Sequence, residues 1–154
     1  VNIRSSSGVR NVQIHDLITG VKTNSLSEGE FIESIRVPIL NGPQEFLKVG
    51  PRNAMVISVA SLAMVTDTAR KIIGVAMGSV SATPCRAKAA EEHIAEYINW
   101  DSMTVKASAI EEFVNLVKEA TNPIDDHRSS RSYRLHTIGV LAQRALTRSF
   151  GTED

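Results

Sequence analysis

The sequence predicts an α+β fold: an antiparallel β-sheet of three to four strands covered by a three-helix layer. Two patterns predict it. Between residues 44 and 80, β-rich runs are separated by turn residues, and from residue 87 onward apolar residues recur at helix spacing. Strands first and helices afterwards indicate two stacked layers rather than alternating βαβ units. Further strand-like runs precede residue 41. Asn41-Gly42-Pro43 is a strong breaker and divides the chain into domains 1–42 and 43–154.

The elements follow in order. Val1, Ile3, Val9, Val12 and Ile14 are spaced for extended structure around a hairpin turn at Ser5-Ser6-Ser7-Gly8. A second turn spans 26–30, and residues 31–37 alternate as a strand that Pro38 ends. Residues 44–49 read as a short strand, and 54–65 as a long central strand with apolar residues on both faces. Residues 66–69 form a turn, 71–80 return, and Pro84 stops the sheet. Ala87, Ala90, Ile94 and Ile98 line one helix. Val105, Ala109, Phe113, Leu116, Val117 and Ala120 line a second, with Asp101 and Ser102 as candidate caps and Asn122-Pro123 as its end. Leu135, Ile138, Leu141, Ala142, Ala145 and Leu146 form the stripe of the third.

Composition excludes several classes of function. Seventeen basic residues balance seventeen acidic ones, so there is no electrostatic footprint for nucleic acid or an anionic membrane. No apolar run approaches bilayer length. Cys85 is the only cysteine, so the chain can neither close an internal disulfide nor hold an iron–sulfur cluster by itself. These features point to a cytoplasmic protein, with Cys85 a small structural residue.

The usual catalytic constellations are missing: no G-x-G-x-x-G, no Walker loop, no H-E-x-x-H and no G-x-S-x-G. We therefore assign no catalytic residue and no metal ligand. His15, His93, His127 and His136 are scattered, and His127 reads as a structural hydrogen-bonding residue. Glu91-Glu92 and Glu111-Glu112 read as solvated helix faces. Lys48-Val49-Gly50-Pro51-Arg52-Asn53 places two cations around a Gly-Pro turn between strands. It reads either as a surface turn or as a loop presenting Lys48 to an anionic or electron-rich ligand.

The densest polar segment is Asp125-Asp126-His127-Arg128-Ser129-Ser130-Arg131-Ser132-Tyr133-Arg134, leading into the helix that ends Arg144-Ala145-Leu146. Its carboxylates and hydroxyls can accept from first-turn amides. Arg128 is expected to bridge the Asp125-Asp126 loop to the start of the helix, with Tyr133 packed beneath it.

This segment resembles the D-x-R-[GS]-S-x-x-Y-R signature of the FAD-binding subunits of molybdenum hydroxylases, the carbon monoxide dehydrogenase, xanthine dehydrogenase and aldehyde oxidase family. Other segments resemble the same family. Phe46-Leu47-Lys48-Val49-Gly50-Pro51-Arg52 is similar to its F-x-K-x-x-x-R, and the run from Gly78 to Ala87 to its G-x-V-x-x-[TK]-P-x-R-A, with Glu91 matching a following A-E. Gly8-Val9-Arg10 through Pro38 resembles the second half of its FAD-binding middle domain.

The resemblance implies that residues 1–42 are the end of an incomplete FAD-binding domain and 43–154 a CO dehydrogenase flavoprotein C-terminal-like domain. The glycine-rich loops that cradle the FAD pyrophosphate in the family do not occur here, so the chain is expected to be the C-terminal part of a larger subunit, inactive alone. By the same resemblance Ile32 and Lys48 line the FAD site, Lys48 as a positive charge favouring the reduced, anionic flavin, and Arg52 lies on a mobile loop near the flavin ring. Ala54, Met55 and Val56 stand where relatives often have acidic residues, which argues against NAD as acceptor. The implied partners are an iron–sulfur subunit and a molybdenum-cofactor subunit, which carry those centres, with electrons passing through FAD to an external acceptor. The alternative is a non-catalytic module that docks subunits.

Overall fold

The computed structural model describes residues 1–54 and 56–153. The chain divides into two compact units, Val1–Ile39 and Leu40–Asp154.

In the first unit, β1 (Asn2–Ser5) and β2 (Gly8–Asn11) form the hairpin that the Ser-Gly turn predicts. Ile14 is not extended: it opens a single helical turn, α1 (Ile14–Leu17). A small hairpin follows, β3 (Ile18–Gly20) with β4 (Thr23–Asn24), and β5 (Phe31–Ser34) returns to pair with β1. The strand expected over 31–37 stops at Ser34 because its partner runs out: Asn2 already faces Ser34 at the end of β1. Within this unit only Ile3 and Leu17 are buried apolar residues, while Ile35, Val37 and Ile39 lie largely in solvent.

The second unit holds the main core. Its sheet has the order β6 (Gln44–Val49), β7 (Ala60–Asp67), β8 (Ile72–Gly78), β9 (Cys85–Arg86), antiparallel throughout. β7 begins at Ala60 rather than at residue 54. Its neighbour β8 ends at Gly78 opposite Ser61, and Ser79 turns away with a left-handed φ of 64°, so nothing remains to pair with an earlier start. Met55 lies outside the described residues. Pro84 does not stop the sheet. It precedes β9 and thus takes no amide from the ladder. Nor is β7 buried on both faces: Leu62, Met64, Ile73, Val75 and Met77 point into the core, while Ala63, Val65 and Ala76 lie half-covered on the other side.

The helices follow as α2 (Lys88–Ala95), then β10 (Ile98–Asn99) and β11 (Thr104–Lys106), then α3 (Ile110–Glu119), α4 (Arg131–Ser149) and β12 (Gly151–Glu153). α4 lies on β6 and β7, α2 on β8, and α3 packs chiefly against α2 and α4. Phe113 on α3 is fully enclosed, and the stripe Ile138, Leu141, Ala142, Ala145 and Leu146 seats α4 on the sheet. Each large side chain so buried contributes about 1.5–3 kcal/mol. The α+β class and its helical layer are as the sequence predicts.

Residues 98–106 depart from that reading. Ile98 and Val105 share helical spacing with their neighbours but pair with each other in an antiparallel bridge, and β12 adds to β11 in parallel. Asp101 and Ser102 are therefore not helix caps. Their amides bond the Asn99 side chain in the turn joining β10 and β11.

Position 42 tolerates no side chain. A Cβ there would stand 2.3 Å from the Thr66 carbonyl oxygen, because this segment runs against the end of β7 and Pro43 accepts the Thr66 amide.

Candidate functional site

The start of α4 is organised by Arg134, not by Arg128. Arg134 is 4% exposed. Its Nη1 donates to the carbonyls of Val59 (2.8 Å) and Ser79 (2.6 Å), and its Nη2 to both carboxylate oxygens of Asp126 (2.8 and 2.9 Å). One guanidinium thus joins the segment before β7, the segment after β8 and the loop before α4. Asp126 Oδ1 also accepts from the amides of Arg128 and Ser129, Asp125 Oδ1 accepts from the Arg131 amide, and Ser130 caps the helix by accepting from Tyr133 N. Tyr133 is half exposed.

Arg128 fails as a bridge because the two carboxylates next to it are already occupied. Asp126 turns inward to Arg134, the only arginine of the three that the helix carries onto its buried face. Arg128 and His127 make no side-chain hydrogen bond among the described residues, so His127 is not the structural bonding residue expected.

The inward turn of Asp126 also governs acid behaviour. Its carboxyl titrates below the ordinary range, held there first by the Arg128 amide and also by Arg134 and the Ser129 amide, against the opposing cost of burial. A depressed folded-state value gives stability that is complete above the unfolded value, about 3.9, and is lost as pH falls through the folded one. The melting temperature should hold down to about pH 4 and then fall. Asp126→Asn should start lower and lose less below pH 4. Parallel acid curves for both proteins would refute this.

Lys48 is the last residue but one of β6 and stands on the outer face of the sheet, in register with Ser61 and, one strand further, Gly78. Phe46, 67% exposed, lies beside it on the same face, next to Ala63 and Ala76. Small neighbours leave this face flat, with one aromatic ring and one ammonium standing above it. The Lys48 ammonium donates to the Val56 carbonyl at 3.4 Å, so the loop after β6 folds back over the end of the strand. A Cβ on Gly50 would stand 2.5 Å from Val56, so this return depends on the missing side chain.

That loop walls a cavity of about 470 Å³. Val56, Ile57 and Val59 supply its apolar surface, and Arg52, His127 and Arg128 also line it. Arg52 therefore sits next in space to the Lys48 end of β6, as the sequence suggests. Ile32 belongs to the first unit, on β5, and is 44% exposed.

Glu91 is a residue whose role the sequence reading missed. It is not solvated: it is 8% exposed at the first turn of α2. Its Oε1 accepts the Val75 amide (2.7 Å) and Arg86 Nε (3.0 Å), and Oε2 accepts Arg86 Nη2. The reason lies at the end of β9. Ala87 donates to the Val75 carbonyl, but the Ala87 carbonyl already accepts the first helical bond, from Glu91 N. The orphaned Val75 amide takes the carboxylate instead. The traces in the sequence are its match to the A-E of the family motif and its place five residues after the end of β9.

Among the described residues no group of three or more His, Cys, Asp or Glu side chains could hold a metal, and no helix is long and apolar enough to cross a membrane. Cys85 is half-buried in β9 against the core and unpaired.

A four-stranded antiparallel sheet with α2 and α4 on one face, an arginine clamp at the start of α4 and a lysine on the open face make this an α+β domain of two layers. The profile of the CO dehydrogenase flavoprotein C-terminal domain matches residues 45–149, and the chain belongs to that family. It is 30% identical over 147 residues to the glyceraldehyde dehydrogenase medium chain of Sulfolobus acidocaldarius, covering 93% of this chain and 50% of that one. Among solved structures, CO dehydrogenase from Oligotropha carboxidovorans superposes with a TM-score of 0.80 at 23% identity, over 96% of this chain and 51% of that one. Quinoline 2-oxidoreductase from Pseudomonas putida 86 gives 0.76 at 23%, over 96% and 50%. These two likenesses bear on the fold. The chain spans about half the length of the relatives it matches.

Proposed function

We propose that the chain is the C-terminal portion of the FAD-carrying subunit of a molybdenum hydroxylase, where it walls the flavin site. The observation that carries this reading is the placement of Lys48, from the family's F-x-K segment, on an open, flat sheet face beside the exposed Phe46 ring. Such a face fits one side of a planar cofactor: small side chains allow close approach, and the ammonium adds fixed positive charge. Ile32, Lys48 and Arg52 are the residues assigned to FAD. The cofactor, when bound, supplies electron transfer, and this chain positions it and sets the local field.

In this reading electrons come from iron–sulfur clusters on a partner subunit, the molybdenum cofactor sits on another, and an external acceptor takes the electrons from FAD. The complex is cytoplasmic. Residues 1–154 alone have no turnover in this reading, because the iron–sulfur and molybdenum centres lie on the partner subunits. The alternative, a module that only docks subunits, predicts that Lys48 is indifferent to the flavin.

The test is Lys48→Met in the flavin-loaded complex. The flavin midpoint potential should fall by about 30 mV or more, equivalent to about 1.4 kcal/mol for a two-electron couple, with the melting temperature unchanged. An unchanged potential at full flavin content would favour the docking module.

A further inference from the structure

We propose that the cavity between the loop after β6 and the loop before α4 binds a small organic anion with a flat apolar body, its charged end on Arg128. Three observations carry this. The cavity, about 470 Å³, lies within the roughly 300–1,000 Å³ typical of small-molecule sites. Its walls are divided by chemistry: Val56, Ile57 and Val59 make an apolar surface, and Arg52, His127 and Arg128 supply polar side chains, with no carboxylate lining it among the described residues.

The third observation is the state of the donors. The adjacent acids are turned away, Asp126 to Arg134 and Asp125 to the Arg131 amide. The Arg128 guanidinium consequently keeps its donors free among the described residues, and the His127 ring, a donor in either tautomer, keeps its own. A guanidinium fork beside an apolar wall suits a planar carboxylate, which it can hold by two parallel bonds. Arg134 frees Arg128 for this by taking over the structural work.

The cavity shares Arg52 with the residues assigned to FAD, but the anion contact rests on Arg128, so the proposal stands if the reading of Lys48 fails. The probes are 2-naphthoate and its neutral amide, titrated by calorimetry into the intact protein. Naphthoate should bind saturably at one site, about tenfold or more tighter than the amide. Arg128→Gln should remove that preference and leave the amide unchanged. Ile57→Ser should weaken both ligands. Equal affinity for the two probes, no saturable binding, or an Arg128→Gln protein that keeps the preference would overturn the proposal. So would an Arg128→Gln protein that fails to fold, since the guanidinium would then be bonded and not free.

Discussion

Arg134→Ala should destabilise the second unit by about 2–4 kcal/mol, because each buried acceptor left without its donor costs about 1–3 kcal/mol. The substitution strands the Asp126 carboxylate and leaves the Val59 and Ser79 carbonyls without donors. Arg134→Lys should recover little, because one ammonium on a flexible stem cannot replace the two planar Nη groups that together reach three segments. The contrast is Arg128→Ala, expected to change stability by no more than about 0.5 kcal/mol, as for a surface side chain without bonds. Urea unfolding of the three variants checks this. If Arg128→Ala proved the more damaging, the assignment of the clamp would be wrong.

Glu91→Ala should cost about 1–3 kcal/mol, the penalty of a buried amide left without an acceptor. The amide in question belongs to Val75, in the middle of the sheet. Arg86 is half exposed and can return to water, so it adds little to the loss. Glu91→Gln keeps an acceptor oxygen within reach of Val75 and should lose less than Glu91→Ala. Amide hydrogen exchange gives a local readout: the Val75 amide should exchange faster in Glu91→Ala, while the amide of Met64 across the ladder should follow global stability only. No change at Val75 would show that the carboxylate is dispensable.

The large pattern was legible in the sequence because it is periodic. The α4 stripe from Ile138 to Leu146, the strand Gln44–Val49 and the Ser-Gly hairpin all follow from residue spacing and turn chemistry. What was not legible depends on partners distant in sequence. Val105 has the spacing of a helix residue and becomes a strand because Ile98 and Thr152 offer it backbone partners. The same holds at the candidate site. Arg128, Arg131 and Arg134 look equivalent in a list of residues. Only the rotation of α4, fixed by its apolar stripe, decides that Arg134 faces the sheet and inherits the structural bonds. Lys48 and Arg52 could be named from the sequence because motif residues mark them. Glu91 was marked by a motif too, but its role was hidden until the short β9 showed which amide lacked a partner.

The first unit has a bearing on solution behaviour. β2 and β5 are both edges of a three-stranded sheet, and Val9, Phe31 and Ile32 stand exposed along them. Unpaired edges with apolar side chains are templates for pairing with another molecule. The charges along them oppose this: Arg10 on β2 binds Glu30, whose carboxyl it pulls down to about 2, and Glu33 on β5 binds Arg4 on β1. These pairs act as gatekeepers of the kind that keep strands from aggregating. In the first unit the guard against self-pairing thus rests on a few charged side chains, whereas most of the buried apolar core lies in the second.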